Sequence, residues 1–100
     1  SVSGETDLFE TAGAFFDSLS AGKEYDAVIM DLYLPDMDGI NVLKNFQRKG
    51  LQIPVIVYSK AAAKEVVMQA LSLGARSYLV KPQKPSVVLG KVIEILHSNS

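Results

Sequence analysis

Short apolar runs alternate with amphipathic segments along the chain, and this alternation constrains the fold more than any other feature. Continuous apolar runs followed by turn residues predict buried strands at 27–31, 53–58 and 78–80. Apolar residues at helical spacing predict helices at 11–19, 40–48, 62–73 and 86–97. A polar, weakly strand-like segment precedes them at 2–9. The order β-α-β-α-β-α-β-α predicts right-handed parallel crossovers and a three-layer, doubly wound α/β sheet.

The composition is that of an ordinary globular domain. With 100 residues, 48% hydrophobic and 21% charged, the chain can build one small core and is too apolar for intrinsic disorder. A formal net charge of −1 gives no reason to expect nucleic acid or a membrane surface as a direct partner. The absence of cysteine excludes disulfides and thiolate metal sites. No apolar run reaches the roughly 18–20 residues of a membrane helix.

The strongest local signal is the segment 26–39, DAVIMDLYLPDMDG, whose apolar run ends in Asp31. In open α/β sheets ligands bind at the carboxyl ends of strands, so Asp31 is predicted at the working edge. The next two strands run into Ser59 and Lys81. A carboxylate, a hydroxyl and an ammonium at successive strand ends indicate an anion-handling site. In it, Asp31 would be the nucleophile, Ser59 a hydrogen-bond donor and Lys81 a counter-charge.

Each of these residues also has a purely structural interpretation. Taken alone, Asp31 is explained as a helix cap or turn residue, Ser59 as the cap of the following helix, and Lys81 as a solvated loop lysine. The acidic turn at 36–39 superficially matches a calcium loop. It fails as one, because the first and last ligand positions fall on Leu34 and Asn45. The joint occurrence of the three polar strand ends favours the site.

Three segments together, VIMDLYLPDMDG, IPVIVYSK and GARSYLVKP, resemble the receiver domain of two-component response regulators, a flavodoxin-like (CheY-like) fold. The resemblance covers nearly the whole chain and implies a single receiver domain over residues 1–100. It implies that Asp31 accepts a phosphoryl group from a histidine kinase or phosphotransfer protein. It also implies that Ser59 follows the phosphate, that Lys81 pairs with it, that Tyr78 is the aromatic switch, and that the Lys81-Pro82 bond is cis.

The resemblance further implies a cytoplasmic signalling protein, not an enzyme, with a downstream output domain or protein as partner. An acyl phosphate brings roughly two negative charges to the sheet edge, attracts Lys81 and offers acceptors to Ser59. Tyr78 would then swing from solvent to a buried position and alter the face made by the last two helices and the final strand. This is a shift between two pre-existing states. Homodimerisation through the Tyr78 face is a further expectation.

One departure from the family is large. The family's first strand, which ends in a pair of acids that hold Mg²⁺, has no counterpart here, and neither does the first helix. Asp31 and the backbone carbonyl of Tyr33 remain as expected Mg²⁺ ligands, while Asp7 and Glu10 are not assigned. An N-terminally truncated receiver is therefore expected. The alternative is a degenerate, phosphorylation-independent receiver that acts as an interaction module.

The second departure is small, and two other classes compete with the receiver. Lys60 stands where the family usually has alanine or glycine, and it either points to solvent, narrows the site or adds positive charge. An aspartyl phosphatase or phosphotransferase would want a second aspartate at the position of Tyr33. A nucleotide- or flavin-binding module would want a G-x-G-x-x-G loop, which the sequence lacks.

Overall fold

Strands and helices alternate in the computed structural model, which describes residues 7 and 9–98. In chain order the elements are α1 (Ala12–Ser20), β1 (Val28–Met30), α2 (Gly39–Arg48), β2 (Val55–Ser59), α3 (Lys64–Ser72), β3 (Ser77–Val80) and α4 (Pro85–Ser98). Each predicted helix and buried strand is present, with differences only at the ends. The predicted strand-like segment at 2–9 lies outside the described residues except for Asp7 and Phe9, neither of which is in a strand.

The described strands form one parallel sheet in the order β1-β2-β3. Met30 of β1 pairs with Val57 of β2, and Ser59 of β2 pairs with Val80 of β3. Because side chains alternate across a strand, the two faces of the sheet carry different residues. Buried residues of α1, α2 and α3 pack with Met30 and Val57 on one face, whereas α4 lies beside Tyr58 on the other. The three-layer, doubly wound α/β architecture is confirmed.

Helix α1 is attached to the rest of this layer by aromatic packing. Phe15 is buried and stacks on Phe46 of α2, with ring centroids 5.9 Å apart and an interplanar angle of 12°. Phe9 and Tyr25 meet Phe15 at 5.7 Å each. Offset-stacked and edge-on ring pairs at these distances are favourable beyond the area they bury. The helical apolar face predicted for this segment therefore corresponds to a real contact with α2.

The acidic turn after β1 is used for helix capping. Asp38 is the N-cap of α2, and its Oδ1 accepts the N–H of Ile40 at 2.8 Å. Asp36 reaches a different helix: its two carboxylate oxygens accept the N–H groups of Ala12 and Gly13, each at 2.9 Å. A carboxylate at a helix N-terminus satisfies unpaired donors and interacts favourably with the helix dipole. Asp36 thus ties α1 to the loop that follows β1.

Replacing Asp36 by alanine should loosen α1 and lower the melting temperature at pH 7 by roughly 2–5 °C. The N–H groups of Gly13 and Ala12 hold the pKa of Asp36 below its ordinary value of 3.8. A carboxyl whose pKa is depressed in the folded state stabilises the fold above its unfolded pKa, and that contribution is lost as the pH falls through the lower folded value. Thermal melts of wild type and Asp36→Ala should therefore converge below pH 3.8.

The control for this experiment is Asp26→Ala, which removes an exposed carboxylate that makes no such contact with a helix N-terminus. Its melting temperature should stay close to that of the wild type over the same pH range. An Asp36→Ala protein that melts with the wild type at pH 7 would contradict the capping role.

A cleft of about 920 Å³ runs along the free edge of β1, between α1 and α4. Among the described residues β1 pairs with β2 alone. Ile29 is 47% exposed and Leu89 of α4 is 59% exposed, both beside this cleft. One prediction is corrected here: the strand predicted to be buried at 27–31 is only partly buried. The apolar side of α4 is also only partly covered, and Ile95 is its one buried residue. Among the described residues, α4 covers this side of the sheet only in part and leaves the cleft open beside β1.

No described helix is both long enough and apolar enough to cross a membrane.

Candidate functional site

Asp31, Ser59 and Lys81 meet at one edge of the sheet. Asp31 directly follows β1, Ser59 is the last residue of β2, and Lys81 directly follows β3. The strands are parallel neighbours, so their carboxyl ends lie side by side. The Nζ atom of Lys81 lies 2.7 Å from Oδ2 of Asp31, and the side chains are 32% and 28% exposed. The convergence predicted from the sequence is present, and a small anion from solvent can reach the pair.

The carboxylate of Asp31 is held through both of its oxygens. Oδ2 accepts from Lys81, and Oδ1 accepts the backbone N–H of Tyr33 at 3.0 Å. Partial burial by itself would raise the pKa of Asp31. Hydrogen bonds from Lys81, the Tyr33 N–H and the Ser59 hydroxyl, together with the charge of Lys81, outweigh burial and lower that pKa below 3.8. Asp31 is therefore ionised at neutral pH, as a nucleophile must be.

Ser59 is completely buried, and its hydroxyl oxygen accepts the N–H of Ala61 at 3.3 Å. It does not cap the following helix, because the N-cap of α3 is Ala63, whose side chain makes no capping hydrogen bond. The capping interpretation of Ser59 is therefore wrong. Its hydroxyl lowers the pKa values of both Asp31 and Tyr78.

Tyr78 is half-buried and its hydroxyl donates a hydrogen bond to the carbonyl of Ala61 at 2.6 Å. Burial is the largest cause that raises its pKa above 10.0; the Ser59 hydroxyl opposes this, and the neighbouring acidic groups Tyr33 and Asp31 add to it. The phenol is therefore neutral and bound to the loop that leaves Ser59. The structure shows Tyr78 in an inward arrangement, not the solvent-facing one from which the sequence interpretation started.

The described residues do not fit a complete Mg²⁺ site. Mg²⁺ prefers near-octahedral oxygen ligands and is usually held by one or two carboxylates together with waters and phosphate. Asp31 directly follows β1 and its Oδ1 accepts the N–H of Tyr33, but residues 7 and 9–98 contain no group of three or more His, Cys, Asp or Glu side chains that could hold a metal ion. Asp7 is used elsewhere, since it accepts from Tyr25 at 2.9 Å and lies 3.6 Å from Lys23.

Two features of the site escape the sequence interpretation. Tyr58 lies under Lys81, with Nζ 5.3 Å from the ring centroid, and Gly39 packs against the backbone of Leu32. Strand alternation places Tyr58 on the face opposite Ser59, so periodicity alone does not bring it to the site. An aromatic residue directly before the serine is the sequence signal that points to this contact. Lys60 is exposed, in agreement with the solvent-facing alternative, and the Lys81-Pro82 bond is cis as predicted.

Comparison with known proteins places this geometry in a family. The model of the response regulator receiver domain matches residues 3–93. The chemotaxis protein CheY of Thermotoga maritima is 31% identical over 97 residues, which cover 92% of this chain and 78% of that protein. The transcriptional regulatory protein QseB of Escherichia coli O157:H7 is 47% identical over 58 residues, which are 58% of this chain but only 26% of QseB.

A solved structure gives the same result for the fold. The receiver domain of the Francisella response regulator 1452 superposes with a TM-score of 0.82 at 27% identity, covering 95% of this chain and 77% of that one. The match includes the parallel sheet whose carboxyl edge holds Asp31, Ser59 and Lys81. The chain belongs to the response regulator receiver domain family.

Proposed function

We propose that the chain is a phosphoacceptor signalling domain in which Asp31 takes a phosphoryl group from a histidine kinase or phosphotransfer protein. The observation that carries the proposal is the 2.7 Å contact between Lys81 Nζ and the ionised carboxylate of Asp31. A carboxylate oxygen attacks phosphorus while the bond from phosphorus to the donor breaks, and the donor keeps that electron pair. The ammonium of Lys81 neutralises part of the charge that accumulates on the phosphoryl oxygens.

The backbone of Ala61 connects Ser59 to Tyr78 through two hydrogen bonds. Its N–H donates to the Ser59 hydroxyl and its carbonyl accepts from the Tyr78 hydroxyl. An acyl phosphate offers strong acceptors, so the Ser59 side chain rotates about its Cα–Cβ bond to donate its hydroxyl hydrogen to the phosphate. The hydroxyl oxygen moves with this rotation and leaves the N–H of Ala61 without its partner. The loop between β2 and α3 then moves, and Tyr78 settles in a different arrangement. Phosphorylation shifts this equilibrium because the phosphoryl group forms its hydrogen bond with Ser59 in only one of the two states.

The proposed partners bind the face of the domain that carries Tyr78. Receiver domains are signalling domains, and we propose that an output domain or protein, or a second copy of the chain, contacts the surface of α3, β3 and α4 around Tyr78. Helices α3 and α4 carry exposed apolar side chains, among them Met68, Leu71 and Ile93. Exposed apolar groups are common where another protein docks.

A second function is favoured by one specific observation. Receiver domains generally bind Mg²⁺ at the phosphorylation site, yet no group of three or more potential metal-ligating residues accompanies Asp31 in the described part of the chain. A receiver without its metal would act as a phosphorylation-independent interaction module through the Tyr78 face. The two functions differ in whether the chain responds to phosphate chemistry at Asp31.

Beryllofluoride, an analogue of the phosphoryl group, distinguishes the two functions. With Mg²⁺ added, the wild-type chain should show saturable amide NMR shifts at Ser59, Ala61 and Tyr78, and Asp31→Asn should show none. A folded wild-type chain whose spectrum does not change, with or without Mg²⁺, would overturn the phosphoacceptor function and leave the interaction module.

A further inference from the structure

One side chain, Tyr58, contacts both the charged end of Lys81 and the backbone that follows it. The Nζ atom of Lys81 lies 5.3 Å from the centroid of the Tyr58 ring. The hydroxyl of Tyr58 accepts the N–H of Gln83 at 3.1 Å and lies 3.4 Å from the carbonyl of the same residue, to which it can donate. The ring of Tyr58 thus contacts the side chain of Lys81, and its hydroxyl contacts the backbone of Gln83, two residues further along the chain.

In this arrangement the ammonium group of Lys81 interacts with two groups, the carboxylate of Asp31 and the ring of Tyr58. The carboxylate of Asp31 binds its ammonium at 2.7 Å, and the face of the Tyr58 ring attracts the same cation through the negative face of its π system. A lysine side chain has a flexible four-carbon stem that otherwise samples many positions. Contact with the ring on one side reduces those positions, and the hydrogen bonds to Gln83 fix the backbone from which the stem begins.

We propose that Tyr58 is a positioning residue that keeps the ammonium group of Lys81 over Asp31. The inference rests on the proposed function, since it gives Tyr58 a role in the phosphoryl uptake assigned to Asp31. Tyr58 does not touch the reacting atoms. It raises the fraction of time during which Lys81 stands where the incoming phosphoryl oxygens need a positive charge.

A double-mutant cycle on the full chain measures this role. With acetyl phosphate as donor, Tyr58→Leu should slow phosphoryl uptake by a factor of about 2–5, the range expected for a partly exposed cation–π contact. Tyr58→Phe keeps the ring and loses only the hydroxyl, so its rate should lie between those of Tyr58→Leu and the wild type. In a Lys81→Gln background, Tyr58→Leu should have no further effect, because no ammonium remains to be positioned.

The matched control is Leu79→Val. Leu79 pairs with Tyr58 across the neighbouring strand and lies on the same face of the sheet. The substitution disturbs the packing of that face but leaves the ring and the hydroxyl of Tyr58 intact, so the uptake rate should not change.

A second readout needs no phosphoryl chemistry. In side-chain NMR, the Cε methylene of Lys81 should show a ring-current shift in the wild type. Its order parameter should fall in Tyr58→Leu, fall less in Tyr58→Phe and stay unchanged in Leu79→Val. An unaltered order parameter in Tyr58→Leu would overturn the positioning role, as would a loss of rate that is equally large in the Lys81→Gln background.

The outcomes separate this inference from the proposed function. If Lys81→Gln takes up phosphate as fast as the wild type, the role of Lys81 in the proposed function fails, while the NMR measurement still decides whether Tyr58 positions it. If Lys81→Gln is slow but does not couple to Tyr58→Leu, the proposed function stands and the role of Tyr58 fails.

Discussion

Asp31→Asn should abolish phosphoryl uptake from acetyl phosphate, with the rate falling more than about 100-fold, because the amide is not a nucleophile at phosphorus. The fold should survive, since the Asp31–Lys81 pair is partly solvated and such pairs contribute about 1 kcal/mol or less. Uptake should be followed as incorporated phosphate, and folding by a thermal melt of the same sample. A normal melt combined with lost uptake assigns the effect to chemistry rather than to unfolding.

The matched control is Asp26→Asn, which removes an exposed carboxylate before the same strand. Its uptake rate should equal that of the wild type. Uptake by Asp31→Asn at the wild-type rate would remove Asp31 from the phosphoacceptor role and point to another residue.

Gly39→Ala should have the largest effect on stability, lowering the free energy of unfolding by about 3 kcal/mol. A Cβ atom at position 39 would lie 2.6 Å from the Cα of Leu32 and 2.8 Å from its Cδ2, with the carbonyl oxygen of Asp31 at 3.1 Å. These atoms belong to Asp31 and Leu32, the two residues that directly follow β1. The N–H of Gly39 also donates a hydrogen bond to the carbonyl of Leu32 at 2.8 Å. Relief of the clash therefore requires moving the chain that positions Asp31.

Gly90→Ala is the control and should change the free energy of unfolding in the opposite direction. A Cβ atom there meets nothing within 4 Å, and Gly90 lies within helix α4. Alanine is favoured over glycine in a helix interior by about 0.8–1.0 kcal/mol, so this variant should gain stability. Urea unfolding of both variants measures the difference, and a Gly39→Ala protein as stable as Gly90→Ala would contradict the close approach.

The fold and the central site could be predicted because both depend on periodic features of the sequence. Apolar runs that alternate with helical stripes require parallel strands, and parallel strands place their carboxyl ends together. Asp31, Ser59 and Lys81 therefore follow from their positions in the chain. The structure adds the distance of 2.7 Å between Asp31 and Lys81, and this distance agrees with the expectation that the strand ends converge.

The remaining contacts depend on geometry that no periodicity encodes. Asp36 caps a helix 23 and 24 positions away, and Tyr58 reaches Gln83 across the end of the sheet. Each of these contacts needs a loop conformation as well as an element type. Periodicity also does not encode the exposure of Ile29 and Leu89, because apolar character predicts burial without showing which element covers a side chain. In the described residues no element fully covers these two, and both line the cleft beside β1.

Site mapping after exposure to acetyl phosphate and Mg²⁺ tests the phosphoacceptor assignment most directly. The acyl phosphate should be trapped by reduction with borohydride, and the peptide spanning β1 should be sequenced by mass spectrometry. The prediction is one phosphoryl group per chain, with the reduced product at Asp31 and none in the Asp31→Asn variant. A folded wild-type chain that gains no phosphoryl group, or that carries it at another residue, would contradict it.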